Sequence, residues 1–223
     1  MVLRELVIFG LDGVLVEMAA LRAEAWAAAL AGAGQTWSAD RLLARLDGVD
    51  DRTALASLQA ELGRPLPPTL LNDVRTRLRS ANAAELMPVQ DALGALRRLR
   101  GRVAVVTLTS APVAREALEK VAMWRHFTSA TFPTELVERV PPAPDIYQYA
   151  AAQMGVPAAR CLVIESTVHG VRAGKAAGMT VFGFVGGASK LDHAQAAKLD
   201  AAGADLVFDR MRELAPLVGA RAA

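Results

Sequence analysis

Short, nearly unbroken runs of β-branched and other apolar residues recur along the chain at residues 6–9, 103–108, 162–165, 180–185 and 206–208, with a weaker run at 130–132. None alternates apolar with polar positions. Such runs predict strands covered on both faces, the arrangement of a parallel sheet packed between helices. The intervening segments carry helical spacing, as in Leu93, Leu96 and Leu99 within 91–100, and Leu118 and Val121 within 114–123. Strand and helix in alternation predict an open α/β sheet. Residues 17–83 break that rhythm, because they hold no strand signal. There Leu55, Leu58 and Leu62, then Leu71, Val74 and Leu78, repeat at i, i+3 and i+7, and Ser38 and Thr69 suit helix N-caps. The pattern therefore predicts a core of residues 1–16 and 84–223 with an all-helical insertion of residues 17–83 after the first strand. Two chain crossings join the parts, and such a joint can hinge.

Composition narrows the function. Of 223 residues, 53% are hydrophobic and 22% charged, which excludes intrinsic disorder. Lys and Arg number 25 against 23 Asp and Glu, so a net charge of +2 is too thin a field to attract nucleic acid. Local basic clusters at Arg75, Arg77 and Arg79, and at Arg97, Arg98, Arg100 and Arg102, have Asp73, Glu85 and Asp91 close by and read as solvated helix faces. No nucleic-acid partner is expected. No membrane span is expected either, since no apolar run nears the roughly 20 residues required, and Arg22 and Glu24 interrupt even the alanine-rich stretch near residue 25. Cys161, the single cysteine, lies in an apolar run and reads as a small buried hydrophobe. A reducing, cytoplasmic setting is the expectation, and residues 1–10 lack the layout of a secretory signal.

Open α/β sheets bind ligands beyond the carboxyl ends of their strands, which directs attention to residues 9–15, 107–110, 141–145 and 165–170. Gly10-Leu11-Asp12-Gly13-Val14-Leu15 resembles the first motif of the haloacid dehalogenase superfamily, Asp-x-Asp-Gly-Val-Leu. The stretch from Cys161 through Glu165, Ser166, Thr167 and His169 to Gly174 resembles its fourth motif, and Pro142-Ala143-Pro144-Asp145-Ile146-Tyr147 resembles the segment after the motif lysine. The chain is thus identified as similar to the branch of β-phosphoglucomutase and phosphoglycolate phosphatase. The resemblance covers nearly the full length and implies a Rossmann-like open parallel sheet with an all-helical cap.

It also implies chemistry. In that family one aspartate attacks a phosphoryl group, a second two residues later acts as general acid and base, Ser or Thr and Lys hold the phosphoryl oxygens, and acidic residues bind Mg²⁺. A carboxylate attacks phosphorus only when the phosphate charge is neutralised and the nucleophile is in line. Position by position the sequence departs: the nucleophile is Gly10, the lysine is Pro141, and the aspartate after Glu165 is Ser166. Asp12, Thr107 and Glu165 persist. With Glu165 and a backbone carbonyl near Asp12 as the remaining protein donors, Mg²⁺ binding is expected to be weak or absent.

The expectation is a protein descended from a Mg²⁺-dependent phosphatase or phosphomutase, catalytically impaired, that binds a small phosphorylated metabolite or a protein partner. The alternative is a weak phosphomonoester hydrolase with Asp12 as general base. Thr109 and Ser110 are candidates for a distal phosphate or for capping the next helix, and Arg52 for meeting substrate phosphate from the cap, though Asp50 and Asp51 precede it. Ser166 and Thr167 also suit the cap of the following helix. His169 and His193 lack metal-ligand spacing and read as surface or loop residues.

Overall fold

The computed structural model describes residues 4–188 and 193–219, the latter without the His193 side chain, so the reading of His193 lies outside the described residues. Six parallel strands form one sheet in the order β3-β2-β1-β4-β5-β6. They are β1 (Leu6–Gly10), β2 (Arg102–Thr107), β3 (Thr131–Pro133), β4 (Cys161–Glu165), β5 (Thr180–Phe184) and β6 (Leu206–Phe208). The weakest sequence signal, at 130–132, thus marks a true edge strand. Within β1, Leu6 and Ile8 point to one face and Val7 and Phe9 to the other, and all four are buried. Period-2 geometry with both faces covered is why the run lacks polar interruptions.

One face packs on α7 (Asp145–Gln153), α8 (Val168–Ala176) and α9 (His193–Ala201), through Ile146, Tyr147, Val171, Ala173 and Leu199. Cys161 is fully buried in this layer, and burial pushes its thiol pKa up to about 11, so it behaves as the inert hydrophobe its sequence context indicates. The opposite face meets α5 (Ala92–Arg98), α6 (Ala111–Lys120) and α10 (Leu214–Gly219) through Leu96, Val113, Leu118 and Leu214.

The helical cap comprises α1 (Ala19–Gly32), α2 (Ala39–Leu46), α3 (Asp51–Leu62) and α4 (Leu70–Glu85). Ser38 caps α2 by accepting the Arg41 N–H at 3.3 Å. Asp50 caps α3 by accepting the Arg52 and Thr53 N–H groups at 3.0 and 3.3 Å, and Gly63 ends that helix in the left-handed region, φ 62°. Thr69 starts α4 without a side-chain cap bond. The fully inward stripe of α4 is Leu70, Val74 and Leu78, while Leu71 is half-buried. The i, i+4, i+8 row is the one buried, on a helix that packs against both α1 and α6. Among the described residues no helix is long and apolar enough to cross a membrane.

Several contacts fasten the cap to the core. Arg75 pairs with Glu135 at 2.7 Å, Arg79 with Glu116, and Lys120 Nζ donates to the Ala83 carbonyl at 2.6 Å. The two arginines lie in one of the basic clusters read as solvated faces. They are surface groups, yet the acids they meet belong to the core.

Candidate active site

The carboxyl ends of β1, β2 and β4 face the cap across a cavity of about 420 Å³. The loop after β1 is built by local turn chemistry. Gly13 takes φ 69°, its N–H donates to the Val16 carbonyl at 2.8 Å, and the Leu15 N–H donates to Leu11 at 2.9 Å. This compact reversal points the Asp12 side chain at the start of the cap, where Oδ1 accepts the Met18 N–H at 2.8 Å. Asp12 and Gly10 both line the cavity.

At the end of β2, Thr107 is buried and its hydroxyl oxygen accepts the Thr109 N–H at 3.2 Å. Thr109 is also buried on the cavity wall, and its hydroxyl has no partner among the described residues. Ser110 occupies the N-cap position of α6 without a side-chain cap bond and stands outside the cavity lining. Pro141, preceding a cis Pro141-Pro142 peptide, lines the cavity with no charge to offer.

The centre of the site is Glu165, buried at the end of β4 on the cavity wall. Its Oε1 accepts the Tyr147 hydroxyl at 2.7 Å. Its Oε2 accepts the Ser166 N–H at 2.9 Å, the Thr167 N–H at 3.1 Å and the Thr167 hydroxyl at 3.1 Å. Burial raises the Glu165 carboxyl above the usual glutamate range against the lowering pull of those donors, and burial beside Glu165 lifts the Tyr147 phenol well above its ordinary value. Small residues make room for the carboxylate. A Cβ on Gly170 would lie 2.2 Å from Glu165 Cδ, and one on Gly10 would lie 3.1 Å from Oε1. Thr167 also caps α8, accepting the Gly170 N–H at 3.0 Å, as its position before a helix suggests.

Ser166 ties the first and fourth segments together. Its hydroxyl donates to the Asp12 carbonyl at 3.1 Å, and its own carbonyl accepts Gln195 Nε2 at 2.8 Å from α9.

The cap side of the cavity is organised by a residue whose role sequence spacing did not reveal. Arg22, on α1, is buried, donates to Asp51 Oδ1 from Nε and Nη2 at 3.1 and 2.7 Å, and donates to the carbonyls of Leu46 and Val49 at 3.1 and 2.8 Å. Trp26 Nε1 adds a 3.2 Å bond to the same Asp51 oxygen. These bonds set the α2–α3 loop, whose Leu46, Asp47 and Gly48 line the cavity. Gly48, at φ 70°, presses on the core: a Cβ there would meet His169 Nδ1 at 2.9 Å. Arg52 is elsewhere. Its guanidinium donates to the Thr134 and Val137 carbonyls at 3.3 and 3.5 Å, outside the cavity lining, and it joins cap to core. Of the two aspartates before it, Asp50 Oδ1 pairs with Arg52 Nε at 3.8 Å and Asp51 is taken by Arg22.

A parallel sheet, a helical cap inserted after β1 and a cleft between them at the strand ends define the class: a capped Rossmann-like α/β fold. The chain belongs to the haloacid dehalogenase-like hydrolase family, whose profile matches residues 5–178. It is 30% identical over 229 residues to Protein CbbY of Cereibacter sphaeroides, covering 96% of each chain. It is 26% identical over 174 residues to the fructose-1-phosphate phosphatase YqaB of Escherichia coli, covering 77% of this chain and 92% of that one. A haloacid dehalogenase-like protein of unknown function from Agrobacterium tumefaciens superposes with a TM-score of 0.78 at 30% identity, over 96% of this chain and 97% of that one.

Phosphatases of this family usually use Mg²⁺. A hard cation of that kind wants near-octahedral oxygen coordination. Of the candidate donors, residue 10 supplies none, Glu165 Oε1 and Oε2 accept one and three protein hydrogen bonds, and the Asp12 carbonyl accepts one from Ser166. Among the described residues no group of three or more His, Cys, Asp or Glu side chains is placed to hold a metal.

Proposed function

We propose that this protein is a member of the haloacid dehalogenase-like hydrolase family that keeps the ligand cleft but no longer performs covalent phosphoryl transfer, and that the cleft serves small-molecule recognition. The observation that carries the reading is the environment of Gly10. Where an attacking carboxylate would begin, there is a hydrogen atom, and the buried Glu165 carboxylate lies within 3.1 Å of where a Cβ would stand. Pro141 on the cleft wall adds no cation for a transferring phosphoryl group. Loss of a catalytic nucleophile alone costs roughly 10⁴- to 10⁶-fold in turnover. Resemblance to the fructose-1-phosphate phosphatase of Escherichia coli makes sugar phosphates the natural panel of ligands to try.

The test is a phosphomonoester panel with Mg²⁺ on the purified protein. Turnover at an ordinary phosphatase rate, abolished by Asp12→Asn, overturns the proposal. Asp12 on the cleft wall supports a second reading, a weak hydrolase in which its carboxylate activates water, a role worth about 10² to 10⁴. Slow turnover that Asp12→Asn removes selects that reading.

A further inference from the structure

We propose that the hydrogen-bond network around Glu165 has taken over the place of the family's divalent cation, with Tyr147 as the positioning residue that withholds Glu165 from metal. The inference rests on the reading of Gly10 above and extends it to a part of the site where no reaction is at issue.

An ionised carboxylate offers about four lone-pair sites, and Glu165 meets four donors: the Tyr147 hydroxyl, the Ser166 and Thr167 N–H groups and the Thr167 hydroxyl. Oε2 accepts three of them and Oε1 one, so a single lone pair of Oε1 is left over. Of these donors, the two N–H groups and the Thr167 hydroxyl come from the residues directly following Glu165 and hold Oε2. Oε1 is held by Tyr147, from a different helix 18 residues away, so the phenol decides which way the second oxygen turns. It turns toward Gly10, within 3.1 Å of a Cβ that is absent. A side chain at residue 10 therefore requires Glu165 Oε1 to give way by a few tenths of an ångström.

The same network does mechanically what a bridging ion does. A metal at strand ends joins loops by sharing their oxygens. Here Ser166 joins the loop after β1 to the loop after β4 through the Asp12 carbonyl, Gln195 adds α9, and Tyr147 adds α7. The elements are linked by O–H and N–H donors, which require no divalent ion. Ser166 is the residue that makes this possible, since an aspartate there has no proton to donate to a carbonyl in its ionised form.

Binding of Mn²⁺, followed by electron paramagnetic resonance, and melting curves with about 10 mM MgCl₂ or with EDTA test this on the full chain, because a cation held about 100-fold below its working concentration raises the melting temperature by several degrees. The expected result for the native sequence is no saturable Mn²⁺ binding and a midpoint unmoved by either addition. Saturable binding tighter than about 1 mM, or a midpoint raised by more than about 3 °C, overturns the proposal. The role of Tyr147 is read in Gly10→Asp/Ser166→Asp with and without Tyr147→Phe. Mn²⁺ affinity is expected to be at least tenfold tighter when the phenol is removed; equal affinity overturns it. Should those variants not fold, Tyr147→Phe alone decides, since the network requires a lowered midpoint and an unchanged one refutes it. Metal binding without turnover would sink this inference alone, whereas turnover without metal binding would sink the functional reading alone.

Discussion

Removing Asp51 is the most severe single perturbation predicted for the cap. The Arg22 and Asp51 side chains are 8% and 6% exposed, and Asp51 Oδ1 receives Arg22 Nε and Nη2 together with Trp26 Nε1. Asp51→Ala leaves a buried guanidinium with only carbonyl partners, and breaking a buried pair from one side costs about 3–5 kcal/mol. For a chain of this size that lowers the melting temperature by roughly 10 °C. Arg22→Met strands the carboxylate instead and is expected to cost a similar amount. The double variant Arg22→Met/Asp51→Leu removes both charges. What it then lacks are the bonds to the Leu46 and Val49 carbonyls and the Trp26 Nε1 bond to Asp51, worth about 1 kcal/mol each, so it should sit about 3 kcal/mol below the native protein, far short of the sum of the two singles. Urea unfolding of the four proteins gives the coupling energy directly. A single substitution costing less than about 1 kcal/mol, or a double variant as unstable as the sum of the singles, would refute the assignment of a buried, mutually dependent pair.

Three further outcomes are expected. Gly170→Ala places a Cβ 2.2 Å from Glu165 Cδ and should cost about 1–3 kcal/mol by urea unfolding; unchanged stability would mean that the carboxylate lies elsewhere. Gly10→Asp alone should leave phosphatase turnover undetected, since Pro141 and Ser166 remain; recovery to an ordinary rate in a phosphate-release assay would contradict this. Burial raises the Glu165 carboxyl above its ordinary value of 4.5, so the native state binds its proton more tightly than the unfolded chain does. The stability this adds is complete below that ordinary value and is lost as pH rises through the raised one. Glu165→Gln removes the titration, so the stability of the native protein measured against this variant should fall as pH increases, and a rising difference would reverse the sign.

The strands were legible because burial on both faces leaves a local trace that needs no knowledge of partners. The cap helices were legible by period, though α4 turned by one position: Leu70 and not Leu71 completes its inward stripe, on a helix that packs against both α1 and α6. Thr167 as a helix cap was legible because its partner is three residues away. Side-chain roles that depend on distant partners were not. Arg22 looked like an interruption of an alanine-rich stretch, and its counter-ion is 29 residues on. Ser166 meets a carbonyl 154 residues earlier, and Tyr147 meets Glu165 only because α7 packs on the sheet face at β1 and β2, beside α8. Arg52, a candidate for meeting substrate phosphate, reaches the Thr134 and Val137 carbonyls, 82 and 85 residues on.

The register of β1 sets a schedule for synthesis. Leu6 lies opposite both Arg102 and Cys161, and Arg160 pairs with Glu5 across 155 residues. The central strand is therefore made first and completed late: at about 5–20 residues per second, the ribosome needs on the order of ten seconds to supply its second neighbour. In that interval the Leu-Val-Ile-Phe run has an open edge, the hallmark of a segment prone to pair with the wrong chain. The four cap helices are all translated before β2, and α1 packs on α2 and α4 within that stretch. The insertion thereby gives the nascent chain something to fold while its sheet waits.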